Sequence, residues 1–512
     1  MGACFALALA GGALTGGSVQ AATSDTPFGA VTTKPPGNEK SFGYRMAAAR
    51  YDYNGDGAND VFVANADKGR VYLLSGKDLA APRDETQPLR VFQDPEGKDG
   101  RFGQWIFSVL GDVNGDAQPD IAVGDPTDDA VWVMSGKTAK VIQRLDNPSA
   151  FPWDRYSERI GRAGDITGDG ASEVIVGAAG YDVPEGCGRY TGVTPCSHGQ
   201  GRAYIFDGAT GALVRTLELP AEDVPFVKLY GASEPTRGCR PNVAGGCNFG
   251  NAVQGPGDVD KDGTPDQLVA ANLLNDGQGR MYLFSGKTGK LIRKIDSPEP
   301  DLDLNGPTNG DDDAFADFGF QDAAPLSPGD VNGDGHADVY GASMDQDGPA
   351  GRSQGKAWVF SGEDIAAGDS ATVFSTALYD LNDPTPQRGN FGWSMDKTDD
   401  NKDGVPDLYI GQAQHHAGQG SGGTYVFDGA KGSPLKTLDM PASCPEDGIL
   451  GWSLAAPGDL NGDSEADYVA GAPFMDIPFG NDPGWDRGLV FGFVSNPPSS
   501  LPTACSDLQS EE

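Results

Sequence analysis

The sequence predicts an all-β fold, a seven-bladed β-propeller of four-stranded antiparallel blades, with cation-binding loops between the first and second strands. Three observations carry this reading. A nine-residue acidic loop recurs seven times along 512 residues. Each copy is followed by a short apolar, β-rich run. Gly is abundant (75) and Pro frequent (37), and no long apolar pattern of helical period stands out, so many short strands and almost no helix are expected. Repeats of this length that carry strand segments mean a radial or stacked array.

The loops begin at Asp52, Asp112, Asp165, Asp258, Asp330, Asp399 and Asp459, as in DYNGDGAND and DVNGDGHAD. Positions 1, 3, 5 and 9 hold oxygen side chains. They are Asp52, Asn54, Asp56 and Asp60; Asp112, Asn114, Asp116 and Asp120; Asp165, Thr167, Asp169 and Glu173; Asp258, Asp260, Asp262 and Asp266. The last three sets are Asp330, Asn332, Asp334 and Asp338; Asp399, Asn401, Asp403 and Asp407; Asp459, Asn461, Asp463 and Asp467. Alternate residues converging on one point suit a hard cation with six to eight oxygen ligands, so up to seven structural Ca²⁺ ions are expected. The sets hold 22 carboxylates, four of them in the fourth copy. Without metal these would repel one another and raise their own pKa values. The alternative for a single copy is a solvated Asx turn; seven copies in register argue against it. Position 6 is usually Gly, which fits a bend needing φ > 0. Ala117 and Ser464 replace it in the second and seventh copies, where strain is expected.

An EF-hand would need Glu at position 12 and flanking helices. Position 12 is Val63, Val123, Val176, Val269, Gly341, Ile410 or Ala470. The runs after the loops, such as DVFVAN and EVIVGA, are strands, so each loop joins two strands. Dockerin-type modules, which set a similar core ahead of a helix, are disfavoured for the same reason.

Around each loop the order repeats. A Phe-Gly-like pair opens the unit: Phe42-Gly43, Phe102-Gly103, Phe249-Gly250, Phe318-Gly319, Phe391-Gly392 and Leu450-Gly451, with Tyr156-Ser157 in the third. Strand, acidic loop, second strand and small-residue turn follow. A third strand such as RVYLLSG or RMYLFSG comes next, and most units then turn at Gly into a fourth, such as LIRKID. Four antiparallel strands make a propeller blade. The seventh unit has no fourth strand, while FGAVTT near Phe28 precedes the first. The N-terminal segment is therefore expected to supply that strand and close the ring.

Residues 1–22 read as a secretory signal, with small residues at Val19-Gln20-Ala21 but no basic n-region. Residues 23–495 form the propeller, and 496–512 a Pro/Ser-rich tail. A secreted, periplasmic or cell-surface location follows, and no segment is apolar enough to span a bilayer. Signal removal leaves Cys187, Cys196, Cys239, Cys247, Cys444 and Cys505. An even number in an exported chain suggests disulfides, and fifteen pairings are open. The expected set is Cys187–Cys196, Cys239–Cys247 and Cys444–Cys505, the last tying down the tail.

These elements resemble FG-GAP repeats, as in the integrin α-subunit propeller and many exported bacterial proteins. The resemblance rests on the Phe-Gly pairs, the acidic loops and GAP-like turns, of which only Ala470-Gly471-Ala472-Pro473 keeps GAP in full. It covers roughly residues 25–495. It implies Ca²⁺ in the loop joining strands one and two, on one face of the disc. It also implies ligand binding on the opposite face, through 2–3 and 4–1 loops.

That placement singles out the long loops. Asp165 and Asp258 lie 93 residues apart, against 53 to 72 for the other neighbouring loops. The excess falls in Tyr181–Gly201 and Pro220–Cys247, each with an expected disulfide. Tyr181, Arg189, Tyr190, His198, Arg237 and Arg240 are ligand-face candidates there, with His415, His416 and Trp485 in other loops of that face. The net charge of −37 disfavours nucleic acid and anionic membranes. SGKTG at Ser285 imitates a phosphate loop, but Met281 stands where its first Gly belongs, so the segment is read as a strand 3–4 hairpin. No GxSxG, HExxH or CxxC motif occurs. The expectation is a monomeric, calcium-binding adhesion or binding module for protein or glycan ligands. The alternative is an extracellular hydrolase or lyase using His198, His415 and His416.

Overall fold

The second strands of the units show why the chain forms a disc. Val61–Asn65, Asp120–Asp125, Glu173–Ala178, Asp266–Ala271, Asp407–Gln412 and Asp467–Ala472 are buried at every residue. A strand buried along its whole length, with an apolar middle, is covered on both faces, and here a neighbouring blade covers each. The structure, a computed structural model, describes residues 28–36, 39–81, 87–98, 101–149, 154–183, 199–224, 226–227, 236–237, 246–275, 277–299, 318–319, 327–347, 353–384, 389–413, 422–444, 448–476, 486–497 and Cys505.

Blade 1 is Phe42–Ala48, Val61–Asn65, Arg70–Leu74 and Arg90–Gln93, in sheet order. Blade 2 is Phe107–Gly111, Asp120–Asp125, Ala130–Met134 and Val141–Asp146. Blade 3 is Tyr156–Gly164, Glu173–Ala178, Arg202–Phe206 and Leu213–Glu218; blade 4 is Phe249–Gly257, Asp266–Ala271, Arg280–Phe284 and Leu291–Ile295. Blade 6 is Phe391–Thr398, Asp407–Gln412, Gly423–Phe427 and Pro434–Leu438. Blade 7 is Ser453–Gly458, Asp467–Ala472 and Leu489–Ser495, completed by Phe28–Thr33, which pairs antiparallel from Phe28 opposite Ser495 to Thr33 opposite Val490. The N-terminal strand thus closes the ring, as expected from FGAVTT.

Blade 5 departs from the pattern. Its sheet is Val339–Ser343, Lys356–Phe360 and Tyr379–Leu381. At its inner position the described residues make bridges from Gly279 to Phe318 and from Gly329 to Asp338, and residues 320–326 lie outside the described residues. Val373–Phe374 instead pairs in parallel with the outer strand of blade 4. Phe226–Val227 and Thr236–Arg237 form a small ribbon in the long connection between blades 3 and 4. Two short helices, Gly76–Leu79 and Gly362–Ala366, occupy the 3–4 connections of blades 1 and 5, N-capped by Ser75 and Ser361. None flanks an acidic loop.

Seven buried clusters lie between neighbouring blades, one for each junction, and together they close the circle. Tyr53, Phe62, Phe107 and Val123 join blades 1 and 2. Phe42, Val61, Ala455 and Val490 join blades 1 and 7. The other five junctions are built alike.

Two small-residue rules connect the repeat motifs to this packing. The second residue of each Phe-Gly pair has positive φ, from 65° at Gly103 to 95° at Gly250, and Ser157 adopts 67° where blade 3 lacks the Gly. That twist drives the preceding aromatic or Leu450 into the junction, where Phe42, Phe102, Phe249, Phe318, Phe391 and Leu450 are fully buried. The carbonyl of this second residue then meets the GAP-type glycine of the previous blade. An ideal Cβ would stand 2.1 Å from Ser157 O at Gly124, 1.9 Å from Gly250 O at Gly177, 2.3 Å from Gly451 O at Gly411 and 2.2 Å from Gly43 O at Gly471. FG and GAP are therefore two halves of one inter-blade contact. Gly177→Ala is expected to cost about 3 kcal/mol, since backbone on both sides must move. Denaturant unfolding measures it, and an unchanged midpoint would contradict this account of the junction.

Candidate functional site

Each acidic loop is organised by its own carboxylates. In blade 1 Asp52 accepts from the backbone N–H of Gly55 (2.7 Å), Asp56 (3.2 Å) and Gly57 (2.8 Å). Asn54 Oδ1 accepts from Asp56 N (2.9 Å), and Asp56 from Ala58 N (3.0 Å). These bonds curl positions 1 to 6 around a common centre. Position 6 takes positive φ in all three forms it adopts, such as 95° at Gly57, 67° at Ala117 and 71° at Ser464. The second and seventh loops keep the bend despite the Cβ, so the expected strain is present there.

Position 9 acts as a staple as well. Asp60 accepts from Tyr53 N inside the loop (2.7 Å) and from Gly76 N in the 3–4 turn (3.1 Å). The same pair of bonds recurs at Asp120 with Val113 and Gly136, at Asp266 with Val259 and Gly286, at Asp338 with Val331 and Gly362, and at Asp407 with Asp400 and Gly429. Asp467 takes Leu460 N and Ser495 N, whereas Glu173 takes Ile166 N and Thr167 N within its own loop. At Asp60 and Asp338 each oxygen takes one N–H and keeps a free lone pair, so stapling and cation ligation are compatible there.

The 3–4 turn supplies a part of the site that sequence reasoning missed. Ser75 Oγ donates to Asp56 (2.7 Å) and Ser495 Oγ to Asp463 (2.9 Å), with longer equivalents from Ser135, Ser285 and Ser361. Lys77, Lys137 and Lys287 reach the position 5 carbonyls of Asp56, Asp116 and Asp262. The repeated Ser-Gly-Lys was the available signal. SGKTG at Ser285 is indeed a hairpin turn, closed by Ser285 N to Lys290 O (2.8 Å).

The electrostatics separate deep from shallow groups. Burial, then the carboxylates at positions 5 and 1, pushes Asp60, Asp120 and Asp338 up to about 6. Burial also lifts Asp467 to about 6 and Asp266 to about 7, with Asp463 and Asp260 adding to each. Glu173 and Asp407 move up through burial. At Asp56 burial acts upward too, but donors from Ser75, Asn54 and Ala58 outweigh it and hold the group low. A site that leaves buried carboxylates in mutual repulsion fits a bound cation, whose charge would reverse that shift. In the fourth loop, the one with a carboxylate at position 3, ligand oxygens of Asp258, Asp260 and Asp262 lie within 4.8 Å of one another. The donor set therefore fits a hard divalent cation. Asp94, Asp125 and Asp128 form a second such group on the other face, where Lys98 already contacts Asp128.

The 1–2 loops and 3–4 turns share one face of the disc, so the 2–3 and 4–1 connections share the other. Of the ligand-face candidates, Tyr181 is described: its ring is buried, with the Arg202 guanidinium 4.0 Å above it. Arg237 is placed in its ribbon by backbone alone. Arg189, Tyr190, His198, Arg240, His415, His416 and Trp485 lie outside the described residues. Cys444 and Cys505 are joined, with Cα atoms 5.1 Å apart. Cys247 is disulfide-bonded, while Cys187, Cys196 and Cys239 lie outside the described residues. Residues 1–27, including the expected signal, lie outside them as well.

An aromatic cluster that the sequence did not single out stands at the Phe-Gly end of the inner strands. Trp393 and Trp452 have ring centroids 4.6 Å apart, and Tyr44 and Phe474 lie 5.4 and 5.0 Å from Trp452. Tyr44, Trp393 and Trp452 each directly follow a Phe-Gly or Leu-Gly pair, and that placement was the signal. Among the described residues no helix is long and apolar enough to cross a membrane.

No protein-family model matches the chain. Curated proteins do. Integrin alpha-PS5 of Drosophila melanogaster is 34% identical over 159 residues, 28% of this chain and 15% of that protein. Integrin alpha pat-2 of Caenorhabditis elegans is 27% identical over 252 residues, 45% of this chain and 18% of that protein. The chain resembles an integrin α-subunit propeller. Phosphatidylinositol-glycan-specific phospholipase D of Rattus norvegicus is 28% identical over 219 residues, 42% of this chain and 24% of that protein. The chain thus spans about a quarter or less of the relatives it matches. The integrin-α-like reading agrees with the count of seven blades and with the Phe-Gly and GAP contacts between them.

Proposed function

We propose that the chain is an exported binding or adhesion module, stabilised by Ca²⁺ in its acidic loops, that captures a protein or glycan on the opposite face. The observation that carries this is the division of labour between faces. One carries the seven carboxylate loops. The other gathers half-buried Tyr44 and Phe474 beside Trp393 and Trp452. Aromatic side chains with one open edge are the residues that dominate recognition surfaces. The likeness to integrin α subunits supports the same assignment.

The test is capture on arrays of glycans and extracellular proteins in the presence of Ca²⁺. A Tyr44→Ala, Phe474→Ala double variant is expected to bind at least about tenfold more weakly, with its melting temperature nearly preserved. Full retention of binding would place the ligand elsewhere. Turnover of a captured polymer that disappears in His416→Ala would replace this reading with the hydrolase or lyase.

A further inference from the structure

We propose that the central channel, at its acidic-loop end, is a binding site for an oxyanion of the sulfate or phosphate class. The inner strands of the blades line a cavity of about 580 Å³ at that end. Three cations reach it from three different blades: Arg50 from blade 1, Arg162 from blade 3 and Lys397 from blade 6. Beside them the inner strands present Gly111, Gly257 and Gln254, and among the described residues no carboxylate lines this end.

The composition makes that notable. The chain has 74 acidic and 37 basic residues, so a basic group taken at random has acids to spare. Yet Arg162 spends its Nε on Ser172 Oγ (3.2 Å), and Lys397 its Nζ on the Ser327 carbonyl (3.0 Å). Arg50 alone has a carboxylate, Asp396 at 2.6 Å. Asp396 is committed elsewhere too, accepting from Lys397 N and Ala456 N (2.8 Å each). Among the described residues the three cations of this lining thus share one carboxylate, so the cavity carries an excess of positive charge.

The groups are held apart in a way that favours an external anion. Arg162 leans over Gly111 of blade 2, and Lys397 over Gly329 of blade 5, each where a Cβ would meet it. Arg162 remains open to channel water, while the surrounding disc removes enough solvent to lower its pKa. Cations that line one cavity from different blades are stabilised by an anion between them, and a flat guanidinium fork such as that of Arg162 suits the paired oxygens of a tetrahedral group. The cavity has room for the group bearing such an oxyanion as well as for the free ion.

This site lies on the face away from the aromatic cluster, so it stands or falls apart from the proposed ligand face. The experiment is calorimetric titration of the full chain with sodium sulfate at constant ionic strength and constant Ca²⁺, repeated with a galactose sulfate ester. One saturable site per chain is expected. Arg162→Gln and Lys397→Gln should each weaken it about tenfold, and Lys140→Gln, in an exposed 3–4 turn, should leave it unchanged. Should either channel variant fail to fold, Val109→Glu decides, since it places a carboxylate among the cations and should abolish uptake. Tighter binding of the ester would identify a sulfated ligand, and tighter binding of the free ion an inorganic one. No saturable uptake by the wild-type chain, or equal uptake by the channel variants and Lys140→Gln, would overturn the proposal.

Discussion

Deleting residues 24–40 is expected to lower the melting temperature sharply and to make the chain prone to aggregation. The segment contains Phe28–Thr33, the outer strand of blade 7, which pairs along six residues with Leu489–Ser495. It buries Val31, sets Phe28 against Tyr468 with ring centroids 6.3 Å apart, and places Lys436 4.8 Å above the Phe28 ring. Glu39, in the same segment, accepts from Arg70 (2.9 Å) and from the Tyr72 hydroxyl (2.5 Å) in blade 1. Ladder hydrogen bonds worth about 1 kcal/mol each, with one core side chain worth about 2 kcal/mol, sum to a large part of a typical domain's stability. The loss also leaves Leu489–Ser495, buried at every residue, as an open edge that invites pairing with another chain. Thermal scans of the truncated and full chains measure the effect. Val31→Asp, a single buried charge at the same seam, should move the transition in the same direction by a smaller amount. Coincident transitions for truncated and full chains would mean that the ring is closed by something other than this strand.

The blades were legible because their signals are local and repeat. An oxygen at every second position of the loop, a fully apolar second strand and a Ser-Gly or Asp-Gly stop after the third are short-range patterns, and seven repetitions average out the irregular copies. Closure by Phe28–Thr33 was legible by subtraction, since one blade lacked a strand and one strand lacked a blade. What escaped depends on contacts between blades. Nothing near Val373 announces that it will pair with blade 4 in place of blade 5, because that choice depends on how the outer edges of two sheets meet. Tyr44, Trp393 and Trp452 look like ordinary strand residues until ring closure brings their ends to one axis. Arg50, Arg162 and Lys397 meet for the same reason, and no window along the chain contains two of them. The physical meaning of the motifs was also hidden. The Gly of GAP reads as a turn former, whereas at Gly177 and Gly471 it makes room for a carbonyl of the next blade.

Chelation of divalent cations is expected to lower the melting temperature by many degrees, and the loops should contribute unequally. A ligand that binds only the folded chain stabilises it by about 2.7 kcal/mol per site at a hundredfold excess over its dissociation constant. Several filled loops would therefore rival the whole stability of an ordinary domain. Asp262 and Asp116 separate this metal term from the loop's own hydrogen bonds. Both sit at position 5, both accept from the N–H two residues on, at 3.1 Å from Thr264 and from Gln118, and both carry a lysine on their carbonyl. The difference is the company they keep. Asp262 shares its loop with Asp258, Asp260 and Asp266, whereas position 3 beside Asp116 is the neutral Asn114. With Ca²⁺ present, Asp262→Ala should cost more than Asp116→Ala, because the richer carboxylate set holds the ion harder. With chelator the order should shrink or reverse, because removing one charge from the crowded loop relieves repulsion that burial amplifies at Asp260. Differential scanning calorimetry of the wild type and both variants, with excess Ca²⁺ and with chelator, gives all six transitions. A wild-type transition indifferent to Ca²⁺ would reduce the loops to self-bonded acidic turns.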